Sequence, residues 1–223
     1  MGIIERKKRE RIKRRSLILD TARALILERG VDSVTMQDIA TTCELSKGAL
    51  YLYFDNKEAL LAELFHEAGS IFIEYVNKRL SPNDSGLEAI RTLWMSYIEV
   101  FGKSSDIIVL FGVKNAIAPA FPYLVEKTSK KEISDPIRLL RMIEEILARG
   151  IADGTLEASL DPERVAKTIF MITGGIIENI ARLPSEMRNN QLILEEMQTT
   201  FEIVLRGIAS PQCDRSLLVL PIE

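Results

Sequence analysis

Ser46, Lys47, Gly48, Tyr51, Tyr53 and Lys57 stand close together in the run SKGALYLYFDNK. Hydroxyls, ammonium groups and the N–H groups at a helix start are what proteins use to hold phosphates. The cluster therefore offers non-covalent recognition of a polyanion rather than bond-making. For catalysis the chain offers little. His66 is the one histidine, set between Phe65 and Glu67 in an apolar-periodic stretch, and reads as structural or solvent-facing. A histidine-based metal site needs more ligands than stand nearby. A Ser-His-acid arrangement has only this base, and no Gly-x-Ser-x-Gly elbow accompanies it. Neither a Gly-x-Gly-x-x-Gly nor a Walker loop occurs. The expectation is a protein that is not an enzyme and needs no cofactor or metal.

The elements that must position the cluster are short and well punctuated. Thr35 can cap a helix with Asp38 three residues on, the spacing of a capping box. Met36, Ile39 and Ala40 form its apolar side, and it must stop around Cys43-Glu44-Leu45, because Ser46 caps a new helix at Lys47-Gly48-Ala49-Leu50-Tyr51. Asp55 and Asn56 provide a third cap. Two short helices joined by a tight turn are a helix-turn-helix, whose second helix can enter the major groove of DNA. A preceding helix over Lys13–Arg29 carries Ile18, Ala22, Leu25 and Ile26 on one face and stops at Gly30.

Charge agrees with a polyanion partner at this end. The net charge of −3 hides a local +6 over residues 1–15, so residues 16–223 sum to −9. A basic arm on an acidic body either meets a polyanion or stays a solvated end. Cys43 and Cys213 are too far apart in sequence for a disulfide framework, which fits a reducing cytosol. No signal peptide is readable, since Asp20 and Arg23 interrupt the apolar residues after the arm, and the longest apolar run, Ile107–Val113, is too short to span a bilayer. A cytoplasmic location and no membrane partner are expected.

The remainder predicts an all-α chain of about nine helices with no sheet. Lys57–Leu80 keeps a 3.6-residue period through Leu60, Leu61, Leu64, Ala68, Phe72 and Val76, and Ser81-Pro82-Asn83-Asp84-Ser85-Gly86 ends it. Further helices are expected over Leu87–Phe101, Asp106–Ile117, Pro136–Ile151, Asp161–Arg182 and Glu186–Ile208. The domain reading is a DNA-binding domain over 1–58 and a helical ligand-binding and dimerisation domain over 59–209, with helix 57–80 linking them. Residues 210–223 form a tail that reads equally as docked or loose.

Aromatic and sulfur-bearing side chains gather in the middle helices. Most must be core, but Trp94, Tyr97, Phe101, Phe111, Met142 and Phe170, with Glu178 beside them, are candidates to line an effector pocket. Glu99 is expected to reach solvent or an arginine. The last two helices are apolar on two faces, so both faces must be covered. One suits the chain's own core and the other a second copy, through Phe170, Gly174, Gly175, Ile177, Met197, Phe201 and Val204.

Ile18-Leu19-x-x-Ala22-x-x-Leu25-Ile26, Gly30-Val31, Thr35, Ile39-Ala40, Leu45-Ser46-Lys47-Gly48-x-Leu50-Tyr51, Tyr53-Phe54 and Asn56-Lys57-Glu58-x-Leu60 resemble the N-terminal domain of TetR-family transcriptional regulators. The later helices resemble the family only in outline. The resemblance implies a homodimeric repressor released from a palindromic operator by a small, largely apolar effector. It implies DNA contacts at Thr35, Ser46, Lys47, Gly48, Tyr51, Tyr53 and Lys57. Glu44 departs from the glycine usual in the turn, and costs about 1 kcal/mol if that backbone is left-handed. Cys43 stands where alanine is usual. A non-catalytic helical carrier and a protein-interaction adaptor are the competing readings.

Overall fold

A computed structural model of the chain describes residues 2–103, 135–181, 183, 187 and 191–221. The described residues are helical throughout: α1 (Ile3–Arg29), α2 (Met36–Thr42), α3 (Lys47–Tyr51), α4 (Lys57–Asn77), α5 (Gly86–Lys103), α6 (Asp135–Ala152), α7 (Pro162–Ala181) and α8 (Gln191–Ile208), then a short 3₁₀ turn over Arg215–Leu218. Among them the sole β feature is an isolated bridge between Leu156 and Ala209. The helix expected at 106–117, and Phe111 within it, lie outside the described residues.

The chain divides into two compact units, Met1–Phe65 and His66–Glu223. In the first, Ile18, Ala22 and Ile26 of α1, Ile39 and Ala40 of α2, Leu50 of α3 and Leu60, Leu61 and Leu64 of α4 close a small core. Each joint is capped as its sequence requires. Thr35 accepts from the Asp38 N–H while Asp38 accepts from the Thr35 N–H at 2.8 Å. Ser46 accepts from the Ala49 N–H at 3.1 Å, and Asn56 from the Ala59 N–H at 2.7 Å.

One boundary differs widely from expectation. α1 starts ten residues before Lys13, at Ile3, so the basic arm is helix rather than a frayed end. Arginine, lysine and glutamate are good helix formers. Extending a helix already nucleated by the buried Ile18–Ile26 face costs little, and Arg6 pairs with Glu10 one turn on, at 3.7 Å.

The second unit is built on α5. The aromatic centre is Trp94, stacked on Phe201 with centroids 4.4 Å apart, and Tyr97, tilted against Phe72 at 4.4 Å. α5 and α6 cross at two glycines, where a Cβ on Gly86 would stand 2.1 Å from the Gly150 Cα. The N-terminal N–H groups of α5 find partners in the turn after α6: Gly86 donates to Asp153 Oδ2 at 2.7 Å and Leu87 to Thr155 Oγ1 at 3.2 Å. Burial raises the Asp153 pKa, but hydrogen bonds from Thr155 and Gly86, with Arg149 near, outweigh it and hold the carboxyl below the usual range.

The tail is docked. Leu218 and Leu220 are buried, Leu220 donates its N–H to Glu202 at 2.9 Å and its carbonyl accepts from Gln198. No helix among the described residues is long and apolar enough to cross a membrane.

Candidate functional site

α2 and α3 are joined by a turn whose geometry follows from its hydrogen bonds. Leu45 donates to the Ala40 carbonyl at 2.8 Å and Glu44 to the Thr41 carbonyl at 3.1 Å, the pairing of a Schellman motif. That motif places one residue in the left-handed region, and Glu44 occupies it with φ +55°. The side-chain position that suits glycine thus carries a carboxylate.

Past the turn, α3 presents Ser46, Lys47, Gly48 and Tyr51 to solvent. Ser46 Oγ accepts the capping bond, so its own proton remains to be donated. A Cβ on Gly48 would meet nothing within 4 Å, so packing inside the chain does not demand a glycine there. The bare backbone instead leaves room for another molecule to approach the first turn of α3. Tyr51 is 40% exposed, and Tyr53 is half-buried on the α3–α4 turn.

Two expected contacts are partly committed elsewhere. The Thr35 hydroxyl donates to Asp38 Oδ2 at 2.5 Å, and that bond, with the backbone bond beside it, holds the Asp38 pKa down. Its proton is spent on the capping box, so Thr35 leaves the set of phosphate donors. Lys57 is half-buried and donates to the Val31 carbonyl, tethering the α1–α2 connection to the start of α4. An ammonium has three protons, and this bond uses one.

Arg15 is the residue that sequence reasoning missed. It donates Nε to Glu63 Oε1 at 2.9 Å, a terminal nitrogen to the other Glu63 oxygen, and Nη1 to the Tyr53 carbonyl at 2.9 Å. Its guanidinium lies 4.3 Å from the Phe54 ring centroid. It therefore fixes the backbone that carries Tyr53. Nothing local announces this, because its partners lie 38 to 48 residues away.

In the second unit, Trp94 and Tyr97 come together and Phe170 and Met142 are partly buried against the same core. Phe101 lies on α5 and Glu178 on α7. Trp94 Nε1 is buried without a hydrogen-bond partner. Tyr97 shares a hydrogen bond with Thr173, and burial pushes its phenol far above the usual range. The Thr173 proton goes to the Ile169 carbonyl at 2.6 Å. Glu99 accepts from Tyr75 at 2.6 Å and from Arg79 at 2.7 Å, which answers it with an arginine.

The residues assigned to a dimer surface separate. Ile177, Met197 and Phe201 are buried in the unit's own core, Phe201 beneath Trp94, and are corrected to core positions. Phe170, Gly174 and Val204 are half-buried and Gly175 is exposed. The large apolar side chains left exposed on these helices are Met171, Leu192 and Ile203. Both faces of α7 and α8 were apolar in sequence, so the period alone did not say which faces inward.

Comparison with known proteins agrees with this geometry. The family model of bacterial regulatory proteins, tetR family, matches residues 18–64. The chain is 32% identical over 156 residues to the transcriptional repressor KstR2 of Rhodococcus jostii, covering 67% of this chain and 71% of that protein. To the regulator YuxN of Bacillus subtilis it is 46% identical over 50 residues, 22% of this chain and only 17% of that protein. The regulator FadR of Bacillus subtilis, solved with stearoyl-CoA, shares the fold at a TM-score of 0.65 and 20% identity, over 86% of this chain and 98% of that one. With a helix-turn-helix capped and turned as described and a repressor as relative over most of its length, this chain belongs to the TetR family of DNA-binding transcriptional regulators.

Proposed function

We propose that the chain is a homodimeric repressor that leaves a palindromic operator when a small, largely apolar effector enters its second unit. The observation that carries the DNA reading is the exposed first turn of α3, with Ser46, Lys47, a glycine that packing does not require, and Tyr51 on one surface. Ser46, Lys47, Gly48, Tyr51, Tyr53 and Lys57 are assigned to phosphate and base contacts. Lys47 acts on phosphate, so Lys47→Ala weakens all sequences alike.

Support for an effector comes from Trp94, whose indole N–H is buried unpaired in a cluster of aromatic rings. An unpaired buried donor is costly, and an acceptor oxygen on an otherwise apolar ligand would relieve it. FadR with its bound stearoyl-CoA supports a ligand of that general polarity. The first unit is assigned to DNA, the second to effector and partner copy. Coupling is assigned to α4, whose residues fall in both units.

The test is a titration with fragmented genomic DNA at two salt concentrations, followed by the selected fragment in the presence of acyl thioesters. Specific retention that weakens with salt, and release by an acyl thioester, are expected. Retention of no fragment would refute the reading and favour a carrier or adaptor.

A further inference from the structure

The helical arm forms one wall of a surface groove of about 800 Å³ whose other wall is Leu52 and Tyr53, directly after α3. Lys7, Arg11 and Arg14 fall on the groove side of α1 at helical spacing, with Lys13 beside them, and Glu10 is the one acid in the lining. The floor is apolar: Leu17 is 46% exposed and Leu52 is 75% exposed. A leucine that open beside a recognition helix, facing a row of cations, has no role in the core of its own unit.

We propose that this groove seats the sugar–phosphate strand bordering the half-site read by α3, with the arm as its outer wall. The inference rests on the DNA-binding reading above. Lys7 to Arg14 spans roughly 10 Å of helix at 1.5 Å per residue. A DNA strand carries one phosphate per about 3.4 Å of axis, so roughly three phosphates match three cations. Leu17 and Leu52 suit the apolar faces of deoxyriboses, which a bare cloud of counter-charge would not need. The arm's helicity matters here, because a frayed end would present the same charges without a register.

The arm's register makes this distinguishable from diffuse attraction. Lys8 lies about 60° to 120° round the helix from Arg11, Lys7 and Arg14, at 100° per residue, and is not in the lining. Removing it changes the net charge as much as removing Arg11. The experiment uses the full chain and a salt series on its selected operator duplex, with circular dichroism to verify helix content. Alanine suits an exposed helix, so the arm stays formed. The Lys7→Ala/Arg11→Ala/Arg14→Ala variant should lower the log–log salt slope by about 3, with the preferred sequence unchanged. Arg11→Ala alone should lower it by about 1, Lys8→Ala by much less, and Glu10→Gln should tighten binding. Ethylation interference should fade in the triple variant at phosphates on the half-site edge and persist at those contacted by α3. Equal losses for Arg11→Ala and Lys8→Ala, or a triple variant with the wild-type slope, would overturn the groove while leaving DNA binding intact. A wild-type chain that retains no DNA would overturn both.

Discussion

Replacing Arg15 by alanine should destabilise the first unit by about 2–3 kcal/mol, and the sum can be taken apart. Its ion pair with Glu63 is bidentate, but the two side chains are 38% and 34% exposed. Discounted for solvent, it contributes ~0.5–1 kcal/mol. The bond to the Tyr53 carbonyl adds about 1 kcal/mol. The guanidinium over the Phe54 ring adds ~0.5–1 kcal/mol at a part-exposed site. Arg15→Lys keeps the charge but loses the fork and the flat face, so it should recover less than half of the loss. The assay is urea unfolding of the full chain, since urea leaves ion pairs unscreened. Trp94 is the single tryptophan and lies in the second unit. Its fluorescence therefore follows that unit, and the part of the circular dichroism curve it does not follow belongs to the first. With a slope near 1 kcal/mol/M, the first unit's midpoint should fall by roughly 2 M in Arg15→Ala. DNA affinity should fall with it, because the Tyr53 backbone loses its anchor. A shift under about 0.5 M, or an Arg15→Lys variant indistinguishable from wild type, would refute this account of the node.

Glu44→Gly should stabilise the first unit by up to ~1 kcal/mol, because it removes a side chain from φ +55°, though glycine's freer unfolded state returns part of the gain; chemical denaturation measures it, and a loss of stability would contradict the strain. Gly86→Ala should cost about 3 kcal/mol or more in the second unit, read by Trp94 fluorescence, since its Cβ meets the Gly150 backbone at 2.1 Å. Asp153 has a lowered folded pKa, so its stabilisation is present above the ordinary carboxylate pKa near 4 and lost as pH falls through the folded value. Asp153→Asn should cost about 1–2 kcal/mol at neutral pH and flatten the acid limb of a melting-temperature profile; an unchanged limb would assign it to other carboxylates. Ile203 is 63% exposed on α8, so Ile203→Glu should weaken the dimer by at least tenfold in sedimentation, with helix content kept and operator binding reduced in step. A dimer of unchanged affinity would place the interface elsewhere.

The capped joints were legible in the residues, because a cap is a hydrogen bond between a side chain and a backbone group three residues away. Thr35 with Asp38, Ser46 with Ala49 and Asn56 with Ala59 need no knowledge of the rest of the chain. The left-handed turn at Glu44 was expected from the family resemblance, and its strain from φ sterics alone. Period likewise marked α4 to α8 as helices. It could not choose which face of α7 and α8 turns inward, since a period sets the angle between residues and not the direction of either face. Trp94 made that choice by stacking on Phe201, which drew Met197 and Ile177 into the core and left Met171 and Ile203 outside. The helical arm, the docked Leu218 and Leu220, and the Arg15 node were decided in the same way. Each depends on a helix already formed or on a partner at least 16 residues off. Only folding brings those groups within reach, and only there does their gain exceed the entropy of ordering them.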